Sequence, residues 1–122
     1  MEILNESRGT VLAHAATQAR RPLERMRGLL GRAGLEAGEA LIIEPCSSIH
    51  TFFMRFPIDV AFLDAEGRVL RALCDLPPWR ATRIYPRAKR VVELPAGTLA
   101  QTETYEGDLL TFAGLTPAQG AR

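Results

Sequence analysis

PCSSIHTFFMRFPIDVAFLD, running from Pro45 to Asp64, sets Cys46, His50, Met54, Arg55 and Asp59 into an apolar, β-prone run. A buried charge without a partner costs several kcal/mol, so Arg55 and Asp59 either pair within the structure or line a site. Ile49 to Met54 reads as a strand, Pro57 demands an edge, a bulge or a turn, and Ile58 to Leu63 reads as the next strand. His50, Phe52, Met54 and Phe56 share one alternation parity, and Thr51, Phe53 and Arg55 the other. Both faces hold large apolar groups, so the strand is covered on both sides or crosses from core to rim. If the turn near Pro57 folds the two segments antiparallel, His50 approaches Asp59 across the ladder; otherwise Asp59 pairs with Arg55.

Downstream, Asp64-Ala-Glu-Gly67 reads as a tight hairpin turn with Gly67 supplying a positive φ, and Arg68 to Leu73 returns. Pro77 and Pro78 stiffen the DLPPWR loop, and Arg90 to Leu94 is a further strand. Thr98 and Gln101 have capping-box spacing, which predicts one helical turn over Thr98–Thr102, and Leu109 to Phe112 is the last strand. Upstream, Ala40 to Glu44 is a short buried strand, and Thr10 to Thr17 is a first strand paired with Met1–Leu4. Between them RPLERMRGLLG is a short helix with Pro22 in its first turn, Gly31 as its cap and an apolar stripe of Leu23, Met26 and Leu30. Arg21, Arg25, Arg27 and Arg32 fall largely off that stripe, as a solvated face or, in the other reading, an anion site.

The fold class expected is therefore mainly β with some α: a small barrel or sandwich carrying one short N-terminal helix and a second helical turn. A single domain over residues 1–122 suits the length, with its core at about 10–112 and a tail at 113–122 that frays. The net charge of +1 gives no global attraction to nucleic acid or an anionic membrane, and no segment is long and apolar enough to span a bilayer. The N-terminus lacks the pattern of a signal peptide, so the cytoplasm is expected, with Cys46 and Cys74 as reduced thiols. Of the 15 basic residues only Lys89 is not arginine, which coding bias explains as readily as anion recognition.

Six pieces in order carry a resemblance: ERMRGLLGR (Glu24–Arg32), SIHTFFMRFPIDVAFLD (Ser48–Asp64), GRV (Gly67–Val69), PWR (Pro78–Arg80), VELPAG (Val92–Gly97) and EGD (Glu106–Asp108). Through them the chain resembles the uncharacterised prokaryotic family called domain of unknown function 192, over roughly Thr10 to Phe112. The resemblance implies a compact, mainly β single domain. It implies no reaction and brings no catalytic residues.

Cys46, His50 and Asp59 are the candidates for chemistry. A C-x3-H pair with scattered partners falls short of zinc spacing, so neither a metal nor any other cofactor is expected. A thiol relay from Cys46 through His50 to Asp59 meets a spacing problem: four residues of strand separate the first two by about 13 Å. Binding fits better, with His50, Arg55, Asp59, Trp79 and Arg80 lining a pocket and the guanidinium groups facing an anion. Trp79 either clamps a ligand with Arg80 or plugs the end of the fold. Glu106-Gly107-Asp108 reads as structural, a turn closed by Asp108. Arg80, Arg83, Arg87, Lys89 and Arg90 form an acid-free run, the footprint of phosphate binding, but only Tyr85 interleaves it.

The reading is a module that binds a small anionic ligand or a protein partner, as a monomer or weak dimer, with no membrane partner and nucleic acid disfavoured. A thiol- or metal-dependent hydrolase using Cys46, His50 and Asp59, or a nucleic-acid accessory protein acting through the Arg-rich segments, are the alternatives.

Overall fold

The computed structural model describes residues 1–114. Its elements follow in the order β1 (Glu2–Asn5), β2 (Thr10–Ala13), β3 (Ala15–Ala19), α1 (Pro22–Arg27), β4 (Glu39–Ile43), β5 (Ile58–Leu63), β6 (Val69–Leu76), β7 (Arg90–Pro95), α2 (Thr98–Gln101) and β8 (Leu110–Ala113). They form a three-stranded antiparallel sheet, β2-β1-β8, and a five-stranded sheet, β3-β4-β7-β5-β6, in which only β3 and β4 run parallel. The mainly β expectation holds as two sheets sharing a core and not as one closed barrel. The tail expected to fray lies outside the described residues, apart from Ala113, which completes β8, and Gly114.

Both faces of β5 are buried, which is why it reads as an apolar run on both parities, interrupted only by Asp59. Ala61, Leu63, Val92 and Leu94 face a cluster shared with Ile3, Leu12 and Leu110 of the small sheet. Ile58, Val60, Phe62 and Val91 face a second cluster, closed by Leu29, Met54 and Ala88 from the connecting segments. Each fully buried Ile, Val or Phe here contributes about 1.5–3 kcal/mol. The hairpin between β5 and β6 turns at Gly67, φ 96°, where a Cβ would run into the Leu110 carbonyl oxygen.

Four local expectations are corrected. Ile49–Met54 is not a strand: β5 already has β7 and β6 on its two edges, so the segment crosses the sheet face as a loop. Its only ladder contact among the described residues is the bridge His50–Ala81. Thr10–Thr17 breaks at His14, so β2 and β3 join different sheets, and the His14 and Ala15 N–H groups both turn to the Gly38 carbonyl. The first helix stops at Gly28, φ 50°, and not at Gly31. Leu30 is then out of phase with Leu23 and Met26, which stand 78% and 72% exposed while Leu29 enters the core. The helical turn α2 is present, but Gly97 and not Thr98 occupies its N-cap position, and no side chain of its own caps it. Asp59 does so from β5, accepting the N–H groups of Gly97 at 3.1 Å and Leu99 at 2.8 Å.

Candidate functional site

Glu93 stands on β7, the central strand of the large sheet, opposite Leu41 of β4 and Val60 of β5. Alternation along β7 aims it with Val91 at the second cluster, away from the small sheet. It is 3% exposed, and its Oε1 has no hydrogen-bond partner. Burial in these apolar surroundings pushes its carboxyl up to about 7.

Over Glu93 opens a cleft of about 420 Å³ between α1 and the 46–54 loop. Met26 and Leu29 form the helix side; Cys46, His50 and Met54 form the loop side. Arg25 ties the two together by donating from Nη1 to the Pro45 carbonyl at 3.1 Å, while its Nε is buried without a partner. Two of the residues lining the cleft thus each carry a buried polar atom without a partner, an acceptor or acid on Glu93 and a donor on Arg25. The Cys46 thiol donates to the Ser48 carbonyl at 3.0 Å. Burial pushes that thiol up, and the charge of Glu93 adds to the effect. A thiol so placed is a wall group and not an activated nucleophile.

The structure divides the residues read from the sequence. His50 is exposed at the cleft rim, its Nδ1 accepting the Phe52 N–H at 3.2 Å. Thr51, fully buried, latches the 50–53 loop to the next one: its Oγ1 donates to Pro77 O at 2.7 Å and accepts from Arg80 N at 2.9 Å. That latch brings Trp79 to the rings of Phe53 and Phe52, at 4.6 and 6.1 Å, and Phe52 stacks on His50 at 4.9 Å. Trp79 is 56% exposed and so does not plug the fold. Arg55 and Arg80 are exposed and form no ion pair among the described residues.

Asp59 is not with them. It is 0% exposed, and its carboxylate is spent on the N–H groups of Asp75, Gly97 and Leu99. Alternation along β5 puts it with Ala61 and Leu63, on the side of the sheet away from the cleft. The relay Cys46–His50–Asp59 is therefore not assembled, and no group of three or more His, Cys, Asp or Glu among the described residues could hold a metal ion. Sequence reading passed over Glu93, although a lone acid inside the apolar run RVVEL carried the same desolvation signal that singled out Asp59. For Arg25 it offered a solvated face or an anion site, and the structure half-buries it at the cleft.

The model of the family described as an uncharacterised ACR, domain of unknown function 192, matches residues 3–112. A UPF0127 protein of Thermococcus gammatolerans is 32% identical over 117 residues, covering 90% of this chain and 74% of its own. A protein of unknown function from Novosphingobium aromaticivorans has a crystal structure that superposes with a TM-score of 0.78 at 20% identity, over 91% of this chain and 82% of that one. A Sinorhizobium meliloti protein, described provisionally as a transcription regulator, does so at 0.75 and 23% identity, over 93% and 92%. At these identities the two solved structures share the fold alone.

Proposed function

We propose that this chain, which belongs to the family of domain of unknown function 192, binds a small molecule in the cleft between α1 and the 46–54 loop. The observation that carries the reading is the buried Glu93 carboxyl with Oε1 unpartnered at the cleft. A buried polar group left unsatisfied costs about 1–3 kcal/mol, which a ligand bearing a hydrogen-bond donor recovers on binding. The buried Nε of Arg25 favours an acceptor on the same molecule. A volume of about 420 Å³ and apolar walls suit a compact, partly apolar molecule carrying both groups, such as an amide or a hydroxy acid. The anionic ligand expected from the sequence survives here only as the acceptor end that faces Arg25.

The chain holds three methionines, and Met26 and Met54 line the cleft while Met1 packs against the other cluster. A fragment screen read by methionine-methyl NMR therefore carries its own control. Amide and hydroxy-acid fragments are expected to shift Met26 and Met54 and leave Met1 in place, and Glu93→Leu to abolish the shifts. Fragments that bind with Met1 shifted, or that bind Glu93→Leu equally well, would overturn the assignment.

A further inference from the structure

We propose that the face formed by α1 and the 50–53 and 79–84 loops docks onto an anionic lipid surface. Leu23, Met26, Phe53 and Trp79 are all more than half exposed, and Ile84 joins them at 66%. Three of them, Met26, Phe53 and Trp79, are linked to one another. Met26 and His50 share the cleft, His50 stacks on Phe52, and Phe52 and Phe53 contact Trp79. Phe53 and Trp79 are held at φ 67° and 66°, a conformation that costs bulky residues about 1–3 kcal/mol and persists only where the surroundings impose it. The Thr51 latch is what imposes it, holding two large rings in solvent where a core would otherwise have taken them.

Charge selects the partner. Residues 45–58 and 76–84 contain no Asp or Glu and carry Arg55, Arg80 and Arg83, whereas Arg87 and Lys89 line a separate depression with Asp64 and Glu66. Twelve basic and fourteen acidic residues make up the rest of the chain, so the net charge of +1 conceals a locally basic face. None of those three cations, Arg55, Arg80 and Arg83, has an ion pair among the described residues. The one acid of α1, Glu24, accepts the N–H groups of Arg20 and Arg21 at the helix start.

Aromatic and aliphatic side chains set among arginines are the composition of an interfacial anchor, where rings and alkyl groups enter the headgroup boundary and guanidinium groups meet lipid phosphate. Phe53 and Trp79 have faces on which nucleic-acid bases stack, but exposed Leu23, Met26 and Ile84 add only aliphatic surface, which suits lipid better. A second copy would set like charges face to face. The sequence expectation of no membrane partner rested on the small net charge and the lack of a spanning segment; surface binding needs no span, and a local basic face serves where the global charge does not. The surface shares Met26 and His50 with the cleft but does not use Glu93, so Glu93→Leu, which tests the cleft, should leave lipid binding unchanged.

Trp79 is the only tryptophan, so its emission reports this face directly. With vesicles of phosphatidylcholine and phosphatidylglycerol in about equal parts, the emission is expected to move to shorter wavelength and the protein to sediment with the lipid. Phosphatidylcholine alone should give neither. Arg80→Gln and Arg83→Gln, both exposed, should each weaken partitioning about fivefold, and added salt should weaken it further. Phe53→Ser should reduce sedimentation with the Trp79 reporter intact. Equal partitioning to both vesicle types overturns the proposal, as does an unshifted Trp79 with the protein left in the supernatant. Quenching of Trp79 by single-stranded oligothymidylate without any vesicle response would assign the face to nucleic acid instead.

Discussion

The carboxylate of Asp59 accepts the backbone N–H of Leu99 at 2.8 Å, forty residues further along the chain. The same carboxylate takes the N–H of Asp75, at an irregularity in the β5–β6 ladder. One buried side chain thus fixes both the end of β6 and the start of α2. Asp59→Ala should cost about 4 kcal/mol, since it orphans three backbone donors that now share one charged acceptor. Asp59→Asn, which keeps an acceptor oxygen, should cost roughly half as much. Urea unfolding of the two variants measures this, and equal, near-zero losses would contradict the role.

Glu93 gives stability a dependence on pH with a definite sign. Its folded value of about 7 lies above the ordinary 4.5, so the folded state binds more protons than the unfolded state between the two. The contribution is fully present below about pH 4.5 and declines as pH rises to about 7, by about 3 kcal/mol in all. Glu93→Gln should flatten this slope and unfold at a higher urea concentration than the parent at pH 8. Denaturation curves at pH 4.5, 6 and 8 suffice.

Asp108 acts at the acid end in the opposite sense. Burial alone would raise its carboxyl, but the Arg8 guanidinium at 3.0 Å, the Tyr105 N–H and the Asn5 amide outweigh that and hold it below the ordinary 3.8. Its stabilisation is present above about pH 4 and is lost as pH falls through the depressed folded value. Together with Glu93 it places maximal stability near pH 4–5. Asp108→Asn should remove part of the acid limb and leave the slope above pH 5 unchanged, which thermal melts across pH 2–6 would show.

The two thiols should separate by rate. Cys74 is exposed and Cys46 half-buried at the cleft, and burial raises both, so alkylation at pH 8 should modify Cys74 first and Cys46 slowly. Glu93→Gln removes a charge that raises the Cys46 thiol and should quicken Cys46 while leaving Cys74 unchanged. Mass spectrometry of peptides over time distinguishes the sites, and equal rates would contradict the placement of Cys46.

Several elements were legible because their causes are local. The mostly apolar run Ile58–Leu63, the turn at Gly67, and the strand Arg90–Leu94 all follow from short-range composition and a glycine that must take a positive φ. Asp108 closing the turn at Gly107 follows from the same short-range chemistry. The six ordered motifs were likewise a property of the chain alone, and family membership follows from them. Of the candidate site, the structure puts His50 at the cleft rim, links it to Trp79 through the Phe52 ring, and holds the Arg80 backbone to Thr51 beside them.

What tertiary structure decided is which strand lies beside which. Ile49–Met54 has the composition of a strand, but pairing is won between segments, and β7 and β6 had taken both edges of β5. Leu23 and Met26 have the spacing of a buried stripe, yet a helix cut short at Gly28 leaves them in water. Asp59 and Glu93 look alike in sequence, each an acid in an apolar strand. The sheet sends Asp59 to a ring of backbone donors and leaves Glu93 unpartnered under a cleft, because burial and hydrogen bonding are set by neighbours distant in the chain.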